Sequence, residues 1–132
     1  MSPLDLVILV DDDDADNYIH RRAIQRSGLV NTVRVFTSAV EALAFFRDTP
    51  QPTALVLLDI NMPVMTGFEF LEAYNGLPPQ NRAEITIVML TSSDSARDSE
   101  RARDYGVDGF EPKPLTTTRF RELVAAKFPD RE

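Results

Sequence analysis

The stretch LVILVDD, Leu6–Asp12, decides the fold class of this chain. Its apolar part contains two valines and an isoleucine, which is typical of a strand buried on both faces of a parallel sheet. The apolar run ends abruptly at Asp11 and Asp12. In an open α/β sheet, ligands bind at the carboxyl ends of the strands. The stretch therefore predicts a buried parallel strand with a polar site at its end.

Polar side chains that suit one site follow three further strands in the same way. Asp59, Thr91 and Lys113 come after short runs that we interpret as strands. These three runs are Ala54–Leu58, Ile85–Leu90 and Asp108–Glu111, and a further strand is predicted at Thr32–Phe36. We therefore expect two or three carboxylates, a hydroxyl and an ammonium at the same edge of one sheet.

Helical patterns separate the predicted strands. Helices are predicted from Asp14 to a stop at Gly28, from a Ser38/Glu41 capping box to Asp48, at Phe68–Tyr74, at Ser95–Tyr105 and after the cap Thr116. In the first helix Ile19, Ala23 and Ile24 fall at helical spacing, and in the last the inner face carries Phe120, Leu123, Val124 and Phe128. Prolines 50 and 52 break the chain, and 76–84 is a polar loop. Five strands alternating with five helices predict a doubly wound parallel α/β sheet with right-handed crossovers.

Length and composition limit the class of protein. With 132 residues and 43% hydrophobic content we expect one domain, residues 1–132. The formal charge of −7 and the absence of a basic stripe argue against nucleic-acid binding. The chain has no cysteine, which excludes disulfides and thiolate metal sites. Its apolar runs are too short for a signal segment or a membrane span, so we expect a soluble, cytoplasmic protein.

The predicted site suits a divalent metal and a phosphoryl group. Converging carboxylates repel one another, and a hard cation with oxygen ligands relieves the repulsion, with Mg²⁺ fitting best. A carboxylate such as Asp59 can also attack phosphorus and form an acyl phosphate. The Lys113 ammonium would balance the charge of the transferred group, and the Thr91 hydroxyl could donate a hydrogen bond to it.

Four motifs follow one another along the chain: ILVDDD at Ile8–Asp13, LLDINMPVMTG at Leu57–Gly67, VMLTSS at Val88–Ser93 and FEPKPLT at Phe110–Thr116. In this order they resemble the receiver domain of two-component response regulators. The resemblance covers the core from Leu4 to Phe128. It implies a five-stranded flavodoxin-like sheet with strand order 2-1-3-4-5.

The resemblance also implies a role for each acid. Asp59 matches the phosphoacceptor of the family. Asp12 would bind Mg²⁺ directly and Asp11 largely through water, while the backbone carbonyl of Asn61 would be a further ligand.

The remaining site residues match the parts of the family that bind and sense phosphate. Lys113 matches the phosphate-binding lysine, which is usually followed by a cis bond to proline. Thr91 and Phe110 match the switch pair, in which the hydroxyl moves to the phosphate and the ring turns inward. Asn61 and Ser93 stand where the family tunes the lifetime of the phosphorylated form.

Several of these residues also have a purely structural interpretation. Asp13 and Asp14 extend the acid pair, and we interpret them as capping the first helix rather than as ligands. Thr91 and Ser92 could cap the following helix, and Phe110 could simply pack in an edge strand. His20, beside two arginines, is predicted to be a surface residue.

Two other functions were compatible with parts of the sequence. A haloacid-dehalogenase-like phosphatase needs D-x-D spacing, which Asp11 and Asp13 supply, but Ala15 stands where that motif has threonine or valine. A pseudo-receiver, which binds partners without being phosphorylated, usually lacks a site residue, and none is missing here.

The resemblance implies a stand-alone receiver, because only four residues follow Phe128. Such a protein takes a phosphoryl group from a sensor histidine kinase or a histidine phosphotransfer protein. It then signals by a conformational switch and protein contacts, as a monomer or weak homodimer. It is not an enzyme beyond catalysing its own phosphorylation and dephosphorylation.

Overall fold

The computed structural model of the chain describes residues 4–48, 55–78, 85–92 and 96–129. Within them, five strands alternate with five helices, as predicted. Several predicted features lie outside the described residues: the break at prolines 50 and 52, the strand residue Ala54, most of the polar loop before Ile85, Ser93, and the helix residue Ser95.

The elements follow one another in strict βα alternation. The strands are β1 Leu4–Val10, β2 Val30–Phe36, β3 Leu55–Asp59, β4 Thr86–Thr91 and β5 Gly109–Pro112. The helices are α1 Asp14–Ser27, α2 Ala39–Asp48, α3 Gly67–Asn75, α4 Ala96–Asp104 and α5 Thr117–Lys127. None of the helices in these ranges is both long and apolar enough to span a membrane.

All five strands are parallel and lie in the order β2-β1-β3-β4-β5, which confirms the predicted topology. The chain leaves β1 toward β2 on one side, then crosses back to β3 on the other side. The strand order therefore reverses between β1 and β3. Helices that follow these two strands cover opposite faces of the sheet, so a crevice opens at the carboxyl ends there.

The core consists of two apolar layers, one on each face of the sheet. Successive strand residues point to opposite faces, so Ile8 and Val10 enter one layer and Val7 and Leu9 enter the other. Helices α2, α3 and α4 cover the first layer and α1 and α5 cover the second. Each large side chain removed from water in this way contributes about 1.5–3 kcal/mol, which fixes the strand ends relative to one another.

Three helix ends have the caps that the sequence predicts. The Asp13 carboxylate accepts hydrogen bonds from the backbone N–H groups of Ala15 and Asp16, so Asp13 is the N-cap of α1. Gly28 ends the same helix with a φ of 71°, a conformation that glycine adopts without a Cβ penalty. Thr116 caps α5 by accepting from the Arg119 N–H group.

The prediction that His20 lies on the surface is wrong. His20 is 1% exposed, whereas Ile19, predicted to follow the apolar spacing, is 48% exposed. The reason is the rotation of α1, which turns Asn17 and His20 toward the protein interior together with Ile24. Burial lowers the pKa of His20, although the nearby Asp16 carboxylate opposes this shift.

Candidate functional site

The carboxyl ends of β1 and β3 bring the predicted acids together. Val10 of β1 is in register with Leu58 of β3, so Asp11 and Asp59, the next residues on each strand, lie side by side. Asp59 is itself the last residue of β3 and pairs with Leu90. Strand pairing thus extends one residue further than predicted.

Three carboxylates form a group that could hold a metal ion. One oxygen from each of Asp11, Asp12 and Asp59 lies within 4.8 Å of the others. Asp11 and Asp59 are buried, and Asp12 is exposed to solvent. This set of hard oxygen donors, open on one side to water, fits Mg²⁺, which keeps several of its waters when it binds to proteins.

Asp11 is held in place by groups of the following loop and helix. Its Oδ1 accepts a hydrogen bond of 3.0 Å from the Asp13 N–H, and its carbonyl accepts one of 2.8 Å from Asn17 Nδ2. Asn17 is buried in α1, and its Oδ1 has no hydrogen-bond partner among the described residues. Asn17 was not predicted as a site residue, because its role depends on which face of α1 turns inward.

Lys113 reaches the same group of acids from the loop after β5. Its Nζ lies 2.8 Å from Asp11 Oδ2, 3.0 Å from Asp59 Oδ1 and 2.8 Å from Asp16 Oδ2. Burial alone would lower the pKa of Lys113, but these carboxylate contacts raise it well above its usual range. Lys113 is therefore a permanent cation at the site. The Lys113–Pro114 peptide bond is cis, as the resemblance implies.

Asp16 is the acid that the sequence prediction missed. It lies in the first turn of α1, not at a strand end, and its backbone N–H is bonded to the Asp13 cap. The only sequence signal for Asp16 was its position one helical turn after the cap. Acids are common at such positions because they stabilise the helix N-terminus, so the signal did not indicate a site residue. Its contact with Lys113 depends on how α1 packs beside the loop after β5.

Burial and the neighbouring acids raise the pKa of Asp59 to about 6. Burial is the largest cause, repulsion from Asp11 comes next, and the Lys113 ammonium partly offsets both. A cation bound among the acids would remove the cause of this repulsion. The site therefore combines a carboxyl group of raised pKa, a cation and a set of oxygens that could hold a divalent cation.

The loop between β3 and α3 packs closely against Asp59. A Cβ atom on Gly67 would collide with the Asp59 carbonyl oxygen and lie 2.9 Å from Met89 Cε. The Gly67 N–H donates a 2.8 Å hydrogen bond to the Ile60 carbonyl. Only glycine fits this position. Gly67 is also the first residue of helix α3, which begins one residue earlier than predicted and directly beside the site.

A complete capping box starts α3. Thr66 Oγ1 accepts from the Glu69 N–H, and Glu69 Oε1 accepts from the Thr66 N–H. The T-x-x-E spacing was the signal for this box, and the prediction missed it. In the same loop Asn61 is exposed, and Val64 is 93% exposed with a φ of 68°.

The two predicted switch residues lie on neighbouring strands. Thr91 is the last residue of β4 and is 2% exposed, and its carbonyl accepts a 2.7 Å hydrogen bond from the Lys113 N–H. Helix α4 is described from Ala96, and residues 93–95 before it lie outside the described residues, so the interpretation of Thr91 and Ser92 as a helix cap stays an alternative. Phe110 is half-buried on the edge strand β5, opposite Met89.

This fold and this cluster of acids define a receiver domain. The chain belongs to the response regulator receiver domain family, whose family model matches residues 7–125. Phosphorylation and Mg²⁺ at a cluster of aspartates are general features of that family.

Curated relatives and solved structures agree with this assignment. The chain is 30% identical over 122 residues to the two-component response regulator ORR41 of Oryza sativa subsp. japonica, covering 92% of each protein. It is 27% identical to the polar-differentiation response regulator DivK of Brucella ovis, covering 94% of this chain and 96% of DivK. A response regulator receiver protein from Dyadobacter fermentans superposes with a TM-score of 0.83 at 35% identity, covering 94% of this chain and 98% of that one. A two-component response regulator from Cytophaga hutchinsonii superposes with a TM-score of 0.84 at 25% identity. The match covers 96% of this chain and 98% of that one.

Proposed function

We propose that this receiver domain accepts a phosphoryl group on Asp59 in a magnesium-dependent reaction. The donor is the phosphohistidine of a sensor histidine kinase or of a histidine phosphotransfer protein. The observation that carries the proposal is the position of the Asp59 carboxylate between the acids Asp11 and Asp12 and the Lys113 ammonium. Residues 4–128 act as one receiver unit, which catalyses only its own phosphorylation and dephosphorylation.

The reaction is an in-line displacement at phosphorus. An Asp59 carboxylate oxygen forms the new O–P bond as the N–P bond of phosphohistidine breaks, and the electron pair of that bond stays on the imidazole nitrogen. Lys113 leaves its contact with Asp59 Oδ1 and donates to a phosphoryl oxygen. Asp11, Asp12, Asp59 and the Asn61 carbonyl would hold Mg²⁺, which would neutralise part of the charge on the transferred group.

The donor docks on the exposed face of α1. Tyr18 and Ile19 are 65% and 48% exposed, and they line a shallow pocket together with Pro114 and Leu115. Arg22 and Arg26 also line this pocket. Pro114 directly follows Lys113 in the chain, so a helix that presents a phosphohistidine over the pocket would lie next to Lys113. Isolated exposed apolar residues are common on proteins, but a cluster that adjoins a reactive site marks a contact surface.

A phosphorylation experiment tests the acceptor. Incubation with Mg²⁺ and a small phosphodonor should add one phosphoryl group to the wild type and none to Asp59→Asn. Mass spectrometry of the labelled peptide then places the group. Label on the peptide around Asp11 would support the phosphatase alternative, and no label on the wild type would support a pseudo-receiver.

A second experiment separates docking from chemistry. Ile19→Asp should slow phosphotransfer from a phosphorylated histidine kinase domain and leave labelling by the small phosphodonor unchanged. Val40→Asp is the matched control, because Val40 is 45% exposed on α2, a different helix. Equal effects of the two substitutions would contradict docking on α1.

A further inference from the structure

We infer that Asp16 is a positioning residue for Lys113, an inference that rests on phosphorylation at Asp59. An ammonium has three N–H donors, and the three carboxylates of Asp11, Asp16 and Asp59 lie within 3.0 Å of Lys113 Nζ. Asp16 thus provides one of the three carboxylate contacts that hold the Lys113 ammonium in place. The other two come from acids of the metal-binding group.

Asp16 differs from the other two partners in its position. It does not belong to the group of acids whose oxygens converge for a metal ion. Its side chain is 34% exposed, against 5% for Asp11 and 8% for Asp59, so it lies at the rim of the site. A cation and a phosphoryl group would occupy oxygens of Asp11 and Asp59. Asp16 is then the carboxylate that stays with Lys113.

The backbone of Asp16 is suited to this role. Its N–H donates a 3.1 Å hydrogen bond to the Asp13 carboxylate, which caps α1. The first turn of α1 therefore fixes the Asp16 carboxylate that faces Lys113. Without this partner, the flexible four-carbon stem of Lys113 would leave its ammonium free to move. Asp16 holds the ammonium at the rim, where it meets the incoming phosphoryl oxygens.

The test compares Asp16→Asn with Asp14→Asn. Both substitutions remove one negative charge from the first turn of α1, but Asp14 is exposed and is not among the acids that pair with Lys113 in the described part of the chain. With Mg²⁺ and a small phosphodonor, Asp16→Asn should be labelled on the order of tenfold more slowly than the wild type, because the ammonium is misplaced. Asp14→Asn should be labelled at the wild-type rate.

A double-mutant cycle shows whether the effect runs through Lys113. In a Lys113→Gln background, Asp16→Asn should cause no further slowing, because the group that Asp16 positions is gone. Two substitutions that only loosen the fold would give additive losses instead. An additive loss, an unchanged rate or a faster rate in Asp16→Asn overturns the inference.

Nuclear magnetic resonance of the lysine ammonium groups tests the positioning without phosphorylation. Lys113 and Lys127 are the only lysines of the chain, so Lys127→Arg assigns the two signals. The Lys113 signal should broaden or shift in Asp16→Asn and stay unchanged in Asp14→Asn. If the wild type is not labelled at all, the proposed function fails, and this spectrum still decides whether Asp16 positions Lys113. An unchanged Lys113 signal in Asp16→Asn would contradict the positioning role.

Discussion

The Lys113 ammonium lies 3.0 Å from the Asp59 carboxylate, although their strands are not neighbours in the sheet. Asp59 ends β3, Lys113 follows β5, and β4 lies between them. The lysine side chain therefore reaches across the end of β4, where Thr91 is located. A change in the charge on Asp59 acts directly on the loop that joins β5 to α5.

The raised pKa of Asp59 predicts how stability depends on pH in the absence of metal. The folded pKa of about 6 exceeds the ordinary 3.8, so between these values the folded protein holds the proton more tightly than the unfolded chain. Stability contributed by this group falls as pH rises through that window. Asp59→Asn lacks this loss and should be more stable than the wild type at pH 7 by about 2–3 kcal/mol.

Urea unfolding at several pH values between 4 and 7 measures this difference. The gap between Asp59→Asn and the wild type should close toward pH 4, where the Asp59 carboxyl is protonated in the native protein. A difference in unfolding free energy that stays constant from pH 4 to pH 7 would show that folding does not raise the pKa of Asp59.

Mg²⁺ should stabilise the folded protein through the acid group. A ligand that binds only the native state stabilises it by RT ln(1 + [L]/Kd), which grows with the logarithm of the ligand concentration once this exceeds Kd. Asp12→Ala should abolish the rise in melting temperature with added Mg²⁺, and it should raise the stability without metal because one repelling charge is gone. Asp14→Ala is the control, since Asp14 is an acid outside the group. A wild-type melting temperature insensitive to about 10 mM Mg²⁺ would contradict the metal assignment.

Thr91→Ala should separate phosphorylation from signal transmission. Asp59, the other acids and Lys113 remain, so labelling should persist. The lost hydrogen bond to the phosphoryl group, worth about 1.5–3 kcal/mol, would no longer shift the population of the switched state. Amide spectra with and without beryllofluoride should show shifts near Phe110 and α4 in the wild type only. Thr91→Ser keeps the hydroxyl and should behave like the wild type, whereas remote shifts in Thr91→Ala would exclude this coupling.

Gly67→Ala should destabilise the protein by about 1–3 kcal/mol, because the added methyl group forces the Asp59 backbone or Met89 to move. Gly76→Ala is the matched control at the other end of α3, where a Cβ atom would meet nothing closer than 3.5 Å. Chemical unfolding of both variants measures the difference. Equal stabilities would mean that the β3–α3 loop adapts without cost.

Local patterns in the sequence were sufficient to predict the elements and their alternation along the chain, whereas the order of the strands in the sheet was implied by the resemblance to receiver domains. The continuous apolar runs indicated strands buried on both faces, and the structure confirms five parallel strands in the predicted order. The cap Asp13 and the stop Gly28 were also predicted, because capping depends on residues only a few positions apart. The positions of Asp11, Asp59, Thr91 and Lys113 at strand ends follow from the same alternation.

The rotation of α1 and the packing of loops were decided only by tertiary structure. Helical spacing grouped Ile19 with Ala23 and Ile24 and suggested that His20 lies on the surface, whereas His20 and Asn17 are buried and Ile19 is exposed. The contact between Asp16 and Lys113 joins α1 to the loop after β5. Sequence periodicity describes each element relative to its own axis, whereas a contact between distant elements depends on how both are turned and packed. Asp16 therefore becomes a partner of Lys113 only in the folded protein.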